Sequence, residues 1–353
     1  MNGAPNVEAN RRRLVVDLTA TSRNWSLTET GRQRIAAATP RGWSVHFVTA
    51  LAQSDGDGGA PPSAETLEHV AGAEAYYGFG LSRAVFDKGK SLRWVHSAAA
   101  GVGAALFPAM VASEVVLTNS AGIYGRPIAQ HVVGGVLHFL RSFDIAIELQ
   151  REGKWDKQPF VGEDSQVREL SDCQVLVIGA GGLGSAIGEA LSGLGARCVG
   201  VRRHPDRPVP KGFERVVGAD AIDDELAHAD VVVLSTPATE ATRELMHAGR
   251  IARLKRDAIL VNVGRGSLVD ETALATALEA GRLRGAVLDV FEEEPLAMSS
   301  RFWQLRNVLL TPHVSGVSPL RYWQRQLDLF LENWTNYADG RPLSNVVDKY
   351  AGY

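Results

Sequence analysis

Short apolar runs alternate with longer amphipathic stretches along most of the chain. In the second half, the apolar runs fall at Gln174–Gly179, Arg197–Val201, Asp230–Ser235, Ala258–Val263, Gly285–Val290 and Asn307–Thr311. Helical patterns lie between them, as at Asp270–Ala280. Fully apolar strands that alternate with helices are typical of a parallel sheet covered by helices on both faces. This part of the sequence therefore predicts a doubly wound α/β domain.

The first part of the chain shows the same alternation. Strands are predicted at Leu14–Leu18, Ser44–Val48, Glu74–Phe79, Trp94–Ala98 and Val115–Asn119. Pro127 then begins a helical stretch that runs to about Glu152. Its apolar stripe is wide enough to pack both on its own domain and on a partner subunit, and an ordinary buried core helix is the alternative. A last amphipathic helix is predicted from Pro319 to Ala338, and we expect it to return to the first domain because chain termini tend to lie close together.

The bulk composition is that of an ordinary globular protein. The chain has 353 residues, of which 45% are hydrophobic and 22% are charged, and this length suggests about two domains. The formal net charge is −3 and no long basic run occurs, so a nucleic-acid role has no electrostatic support. No segment approaches the roughly 18 to 20 apolar residues of a membrane span, which predicts a cytoplasmic protein without a membrane partner. Cys173 and Cys198 lie at predicted strands, which favours buried reduced thiols over a disulfide, and no metal site is predicted.

A glycine-rich turn follows the first apolar run of the central segment. The turn, Gly179-Ala180-Gly181-Gly182-Leu183-Gly184, has the Gly-x-Gly-x-x-Gly pattern and comes between a predicted strand and a predicted helix. In that context the pattern predicts a dinucleotide-binding site. Gly179 permits the tight turn, Gly181 lets the backbone approach a pyrophosphate, and Gly184 allows close packing of helix on strand. Backbone N–H groups near Leu183 and Gly184, at the start of the helix, would bind the phosphates.

The next strand ends in Arg202-Arg203. Enzymes that take NAD usually carry an acidic residue here, which accepts a hydrogen bond from the ribose 2′-hydroxyl. A guanidinium instead binds a 2′-phosphate, and each charged hydrogen bond contributes roughly 1.5–3 kcal/mol. The pair predicts NADPH/NADP+ as the preferred cofactor, with NADH/NAD+ as the second. The alternative is that both arginines are solvated surface charges.

Three loops that follow predicted strands carry an arginine, a carboxylate and a histidine. Arg265 lies between Gly264 and Gly266, Glu294 ends an acidic run, and His313 follows Pro312. Because strands of a parallel sheet all point to one edge, we expect these side chains to meet there. Arginine binds anions, histidine moves a proton near neutral pH, and a carboxylate orients that histidine.

At these positions the chain resembles the D-isomer-specific 2-hydroxyacid dehydrogenase family, and the similarity covers nearly its whole length. The stretches that carry it are Val261–Asp270, Leu288–Phe291, Glu294–Leu296, Leu310–His313 and Ser97–Val102. The resemblance implies a Rossmann-type dinucleotide-binding domain at 120–313. It also implies a second, discontinuous, flavodoxin-like α/β substrate domain at 1–119 and 314–353, and a homodimer.

The resemblance implies roles for the residues that match. Arg265 would grip a 2-oxo acid and polarise its carbonyl, while His313 would protonate the carbonyl oxygen as hydride arrives. Glu294 would hydrogen-bond His313 and favour its protonated form. The substrate carboxylate would be held by backbone N–H groups of Ala100, Gly101 and Val102. Further cofactor contacts are implied at Thr236, Pro237, Thr242, Val263, Asp289 and His313, with Asp289 facing the nicotinamide carboxamide.

The sequence thus predicts an NADPH-dependent reductase that converts a 2-oxo acid to the D-2-hydroxy acid. Glyoxylate, hydroxypyruvate and a larger 2-oxo acid are the open substrates. Tyr76, Tyr77 and Phe79 lie near the expected substrate pocket and favour a partly apolar substrate tail, unless they belong to the core. A dinucleotide-sensing binding protein on the same fold is the alternative, although a sensor has no need of an arginine, a carboxylate and a histidine together. Formate oxidation fits less well, because it releases no proton for such a pair to accept.

Overall fold

The chain divides into two structural units. The computed structural model describes residues 12–21, 25–51 and 61–352. Met1–Ile123 and Ser318–Tyr353 form one unit, called here the terminal unit, and Tyr124–Val317 forms the other, the central unit. The bounds expected from the sequence, 119/120 and 313/314, lie a few residues before these.

The terminal unit is built on a parallel sheet. Its strands are β1 (Arg12–Asp17), β2 (Trp43–Phe47), β3 (Ala75–Gly78), β4 (Trp94–Ser97) and β5 (Val116–Asn119). They lie in the order β2-β1-β3-β4-β5, which is the flavodoxin-like order. The helices are α1 (Glu29–Ala37), α2 (Ala64–Val70), α3 (Arg83–Lys88), α4 (Pro108–Val111) and, from the end of the chain, α12 (Tyr322–Ala338).

Helix α12 packs on the sheet of the terminal unit through aromatic rings. Phe330 stacks on Tyr77 with ring centroids 3.9 Å apart, and on Trp94 at 5.8 Å. Trp334, one turn further along, is 1% exposed. These contacts bury the apolar face of α12, and burial of such large rings is the main favourable contribution to its attachment.

The central unit is a larger parallel sheet with helices on both faces. Its strands are β6 (Gln174–Ile178), β7 (Arg197–Val201), β8 (Arg215–Val217), β9 (Val231–Leu234), β10 (Ile259–Asn262), β11 (Gly285–Leu288) and β12 (Val308–Leu310). The order is β12-β11-β10-β9-β6-β7-β8, so the strand sequence reverses between β6 and β9 as in a Rossmann fold. The helices are α5 (Gly125–Leu140), α6 (Phe143–Arg151), α7 (Gln158–Val161), α8 (Gly182–Ser192), α9 (Ile222–Leu226), α10 (Ala248–Ile251) and α11 (Glu271–Glu279). The predicted α/β class, with a Rossmann-type and a flavodoxin-like sheet, is confirmed.

The single helix expected from Pro127 to Glu152 is wrong, because the chain forms α5 and α6 with a break between them. Ser142 lies in the left-handed region, with φ of 54°. Arg284, which is 8% exposed, holds the break: its Nη2 donates to the Phe139 carbonyl at 3.0 Å, and it pairs with Asp144 at 2.8 Å. Helix α5 buries one face in the core, where Val132, Val136 and Phe139 are fully buried, whereas α6 has no buried residue.

One strand was not predicted from the sequence, and the prediction for the two cysteines is confirmed. Strand β8 has three residues at the sheet edge, and no apolar pattern of that length could predict it. Cys173 and Cys198 are buried free thiols, as predicted, and burial raises the pKa of Cys198 to about 12. None of the helices that the structure describes is both long and apolar enough to traverse a lipid bilayer.

Candidate active site

The candidate site of the central unit lies at the carboxyl ends of three neighbouring strands. Strands β10, β11 and β12 are adjacent and parallel, with Leu260 beside Ala286 and Ala286 beside Val308. The loops that follow them carry Arg265, Glu294 and His313 respectively. The topology therefore brings the three side chains to one edge of one sheet.

The Arg265 loop is folded by the side chain of Asn262. The amide nitrogen of Asn262 donates to the Arg265 carbonyl at 3.0 Å, and its amide oxygen accepts from the Gly264 N–H at 3.1 Å. Gly266 packs directly on the next loop, because a Cβ at Gly266 would lie 1.8 Å from the carbonyl carbon of Phe291. This close approach places the exposed Arg265 beside the loop that leads to Glu294.

Glu294 and His313 form a hydrogen-bonded pair. His313 Nδ1 lies 2.8 Å from Glu294 Oε2, and Glu294 Oε1 accepts from the Phe291 N–H at 2.9 Å. An ionised carboxylate only accepts hydrogen bonds, so Nδ1 carries a hydrogen and Nε2 is the nitrogen left to exchange a proton. The His313 side chain is 46% exposed, which leaves Nε2 open to a ligand.

Glu292, in the same acidic loop, is also held by protein groups. Glu292 pairs with Arg243 at 2.7 Å, and its N–H donates to the Glu271 carboxylate at 2.7 Å. Burial raises the pKa of Glu271, and the negative charges of Glu292 and Glu294 raise it further. Glu271 was not anticipated from the sequence, where it appears as an ordinary first-turn acid of α11.

The glycine-rich turn has the backbone that a dinucleotide requires. Gly179 has φ of 109°, a region open mainly to glycine, and a Cβ at Gly184 would lie 2.1 Å from the Gly179 carbonyl oxygen. By contrast, no atom of the residues that the structure describes lies within 4 Å of a Cβ built on Gly181 or Gly182. Helix α8 begins at Gly182, so Leu183 and its neighbours present N–H groups that have no acceptor within the helix. The turn therefore fits a pyrophosphate.

The loop after β9 lies against this turn. A Cβ on Gly179 would lie 2.7 Å from the Thr236 nitrogen. Thr242 folds the loop back, because its hydroxyl donates to the Pro237 carbonyl at 2.8 Å and accepts from the Thr239 N–H at 2.8 Å. Val263, after β10, is 5% exposed.

The two arginines after β7 differ in their surroundings. Arg202 donates to the carbonyl oxygens of His204 at 2.9 Å and Pro208 at 3.1 Å, and also to that of Arg207. Its guanidinium therefore shapes the loop that follows the strand. Arg203 is exposed at the start of the same loop.

Asp289 is completely buried, and protein groups occupy both of its carboxylate oxygens. Thr311, Val314 and Ser315 donate to them at 2.6 to 2.9 Å. The sequence shows an acid after an apolar strand and does not reveal these partners.

The terminal unit carries the loop 97–102, which the resemblance connects with substrate. Asn119 Nδ2 donates to the Ala100 carbonyl at 2.7 Å, and Gln326 Nε2 donates to the Ala98 carbonyl. Among the described residues, nothing accepts a hydrogen bond from the N–H of Ala100, Gly101 or Val102. Such N–H groups can bind a carboxylate. Gln326 is fully buried, and its signal in the sequence was an amide within the apolar stripe of α12, where Asn333 is a second buried amide.

The aromatic residues Tyr76 and Tyr77, within β3, and Phe79, just after it, are buried in the terminal unit. The hydroxyl of Tyr76 donates to Asp17 at 3.0 Å, and Tyr76 is 5% exposed. Tyr77 is 0% exposed and Phe79 is 6% exposed. These rings belong to the core, so they give no support to a partly apolar substrate tail, which stays a prediction without structural evidence.

Comparison with known proteins identifies the family. The family sequence model described as "D-isomer specific 2-hydroxyacid dehydrogenase, NAD binding domain" matches residues 133–315 of the chain. Glyoxylate/hydroxypyruvate reductase A of Citrobacter koseri is 30% identical over 275 residues, which is 75% of this chain and 83% of that protein.

Two solved structures resemble the chain over nearly its whole length. A D-isomer specific 2-hydroxyacid dehydrogenase from Xanthobacter autotrophicus Py2, in complex with NADPH and MES, is 29% identical with a TM-score of 0.77, covering 98% of this chain and 100% of that one. The NADPH-dependent glyoxylate/hydroxypyruvate reductase of Sinorhizobium meliloti is 26% identical with a TM-score of 0.74, covering 97% and 100%. The predictions of an oxidoreductase and of a nicotinamide dinucleotide as its cofactor are confirmed at the level of the family. The chain belongs to the D-isomer specific 2-hydroxyacid dehydrogenase family.

Proposed function

We propose that the protein catalyses NADPH-dependent, reversible reduction of a 2-oxo acid to the D-2-hydroxy acid. The observation that carries the proposal is the His313–Glu294 pair, at 2.8 Å, on loops beside the glycine-flanked Arg265. Proton transfer to a carbonyl oxygen needs an acid that is correctly oriented and that regains its proton near neutral pH. An imidazole hydrogen-bonded to a carboxylate meets both needs.

The proton is held at His313 Nε2. Glu294 accepts from Nδ1 and stabilises the doubly protonated ring, so Nε2–H can be donated as the carbonyl carbon is reduced. In the oxidative direction neutral Nε2 accepts the hydroxyl proton. The Phe291 N–H fixes the second oxygen of Glu294, which keeps the carboxylate from rotating away from the ring.

Two sets of groups are proposed to bind the anionic substrate. The Arg265 guanidinium binds oxygen atoms of the 2-oxo acid and stabilises negative charge that develops on the carbonyl. The N–H groups of Ala100, Gly101 and Val102 bind the carboxylate. Asn119 orients this loop through the Ala100 carbonyl.

We propose that NADPH is held by the glycine-rich turn, Thr236, Pro237, Thr242, Val263 and the arginines after β7. When bound, it supplies the hydride. Both guanidinium groups are proposed to face the 2′-phosphate, and Arg202 also shapes the loop through its three carbonyl partners.

The cofactor proposal is tested by charge reversal at each arginine. Arg203→Asp and Arg202→Asp should each lower the NADPH/NADH ratio of kcat/KM by at least about tenfold, the equivalent of one charged hydrogen bond. Arg256→Asp, at an exposed arginine of the same unit, is the matched control. An unchanged ratio in both test variants would contradict the NADPH preference.

The reaction is tested with a panel of 2-oxo acids that includes glyoxylate, hydroxypyruvate and larger members, assayed with NADPH and then with NADH. His313→Asn should lower kcat by about 10²–10⁴ while NADPH still binds, and His228→Asn, at an exposed histidine, should not. Tight NADPH binding without turnover of any 2-oxo acid would favour the alternative, a dinucleotide-sensing binding protein.

We also propose that the chain forms a homodimer, as the family resemblance implies. Helix α6 and the segment after it expose Phe143 (51%), Ile147 (39%) and Trp155 (102%), an apolar surface suited to a second copy. Sedimentation equilibrium tests this. Ile147→Glu should weaken the dimer, and a wild-type monomer at micromolar concentration would contradict the proposal.

A further inference from the structure

Asp289 is a buried carboxylate, and its partners among the described residues lie on the loop of His313. Oδ1 accepts from the Thr311 hydroxyl at 2.6 Å and from the Val314 N–H at 2.9 Å. Oδ2 accepts from the Ser315 N–H at 2.9 Å. The residue is 0% exposed, so these hydrogen bonds replace all of its contact with water. One carboxylate thus binds the loop on both sides of His313.

The backbone of His313 needs such support. Its φ is 53°, in the left-handed region where a Cβ crowds the following carbonyl. The His313 N–H donates to the main-chain carbonyl of Asp289 at 2.8 Å. Asp289 therefore holds His313 by its main chain and the flanking residues by its side chain. A strained conformation of this kind persists only where the surroundings over-determine it.

A second line of contacts supports the carboxylate. The single hydroxyl proton of Thr311 is directed to Asp289, so the Thr311 oxygen can only accept from another partner. That partner is His131 Nε2, on α5, at 3.2 Å, and the ring must carry a hydrogen on Nε2. His131 is thus tied through Thr311 to the same centre.

We propose that Asp289 is the positioning residue of His313: it sets the left-handed turn that aims the imidazole at Glu294 and at substrate. The inference rests on the proposed function and deepens it. It differs from the role that the family resemblance implies for Asp289, contact with the nicotinamide carboxamide. The two roles predict different kinetic changes.

The test is Asp289→Asn, which keeps the shape of the side chain but turns one acceptor into a donor facing an N–H or hydroxyl donor. If the imidazole is misplaced by about 1 Å, kcat should fall about 100-fold. The Kd of NADPH, measured by fluorescence without 2-oxo acid, should stay near the wild-type value. Hydrogen–deuterium exchange at the Val314 and Ser315 amides should accelerate. Asp270→Asn, which removes another carboxylate that accepts a backbone N–H, is the matched control and should leave kcat unchanged.

Loss of NADPH affinity with wild-type kcat at saturating cofactor would overturn the proposal in favour of a cofactor contact. Unchanged exchange at Val314 and Ser315 would overturn it as well. If Asp289→Asn does not fold, Thr311→Val takes its place, with a smaller fall in kcat and faster exchange expected, and no change in either refutes the idea. Hydrogen–deuterium exchange can be measured without turnover. If the wild-type protein reduced no 2-oxo acid, the proposed function would be disproved, but the exchange experiment would still test whether Asp289 holds the loop of His313.

Discussion

Gly266→Ala should disable the enzyme without touching any group that contacts substrate. The added methyl carbon would lie 1.8 Å from the carbonyl carbon of Phe291, 2.0 Å from its oxygen and 2.2 Å from the Glu292 nitrogen. Optimal separation of such atoms is about 3.5 Å, so the two loops must part by more than about 1 Å. All three atoms are backbone, and no side-chain rotation can relieve the overlap.

The displacement separates Arg265, on one loop, from Glu294, on the other. A misplacement of about 1 Å in a catalytic constellation costs about 100-fold in rate, and overpacking costs about 1–3 kcal/mol of stability. We expect kcat/KM for the 2-oxo acid to fall about 100-fold. The assay is NADPH oxidation at saturating cofactor, with the NADPH Kd and circular dichroism measured to show that the variant is folded.

Gly134→Ala is the matched control for this substitution. Gly134 lies on an exposed face of α5, and its added Cβ would have no neighbour within 4 Å among the described parts of the chain. Alanine should stabilise the helix there by about 1 kcal/mol and leave turnover unchanged. Near-wild-type kcat/KM and melting temperature in Gly266→Ala would refute the claim that this close approach holds Arg265 beside Glu294.

Two further predictions concern the terminal unit. Burial lowers the pKa of His96 to about 3, so the folded chain keeps the ring neutral while the unfolded chain binds a proton below about pH 6.5. The free energy of unfolding should therefore be highest above pH 6.5 and should fall by about 1.5 kcal/mol between pH 6.5 and pH 5. In urea unfolding, His96→Asn should not show this decrease. Gln326→Leu leaves the Ala98 carbonyl without its partner, while the Ser120 hydroxyl keeps the Ser97 carbonyl as an acceptor. The substitution should cost about 1–3 kcal/mol and raise KM for the 2-oxo acid more than for NADPH. A KM for the 2-oxo acid equal to that of the wild type would show that the 97–102 loop does not depend on Gln326.

The strands were largely predictable because each is a short apolar run with a polar end. Arg197–Val201 coincides with β7, and the other ten predicted strands differ from the structure by one or two residues at one or both ends. The break between α5 and α6 was not predictable by periodicity, since apolar spacing continues across it. What breaks the helix is Arg284, which is distant in sequence and binds the Phe139 carbonyl. A contact across 145 positions leaves no local signal.

The candidate site, like the fold, was only partly predictable from the sequence. Residue type and strand ends suggested Arg265, Glu294 and His313, because those positions carry chemistry that apolar strands do not need. Asp289 was recognised as an acid, but its protein partners depend on how β11 and β12 are paired. Its carboxylate reaches the N–H groups of Val314 and Ser315, and main-chain donors have no sequence signature.

The 2.8 Å contact between His313 and Glu294 depends on two loops that are held by different means. Gly266 holds the Glu294 loop by close packing, and Asp289 holds the His313 loop by hydrogen bonds. Gly266→Ala is expected to displace Glu294, and Asp289→Asn is expected to displace His313. Each substitution alone should therefore break the contact between His313 and Glu294, and the second substitution should cause little further loss. Gly266→Ala combined with Asp289→Asn should therefore lower kcat by clearly less than the product of the two single effects, as expected for residues that act through one shared contact. Fully additive losses, in units of free energy, would mean that the two loops serve separate steps.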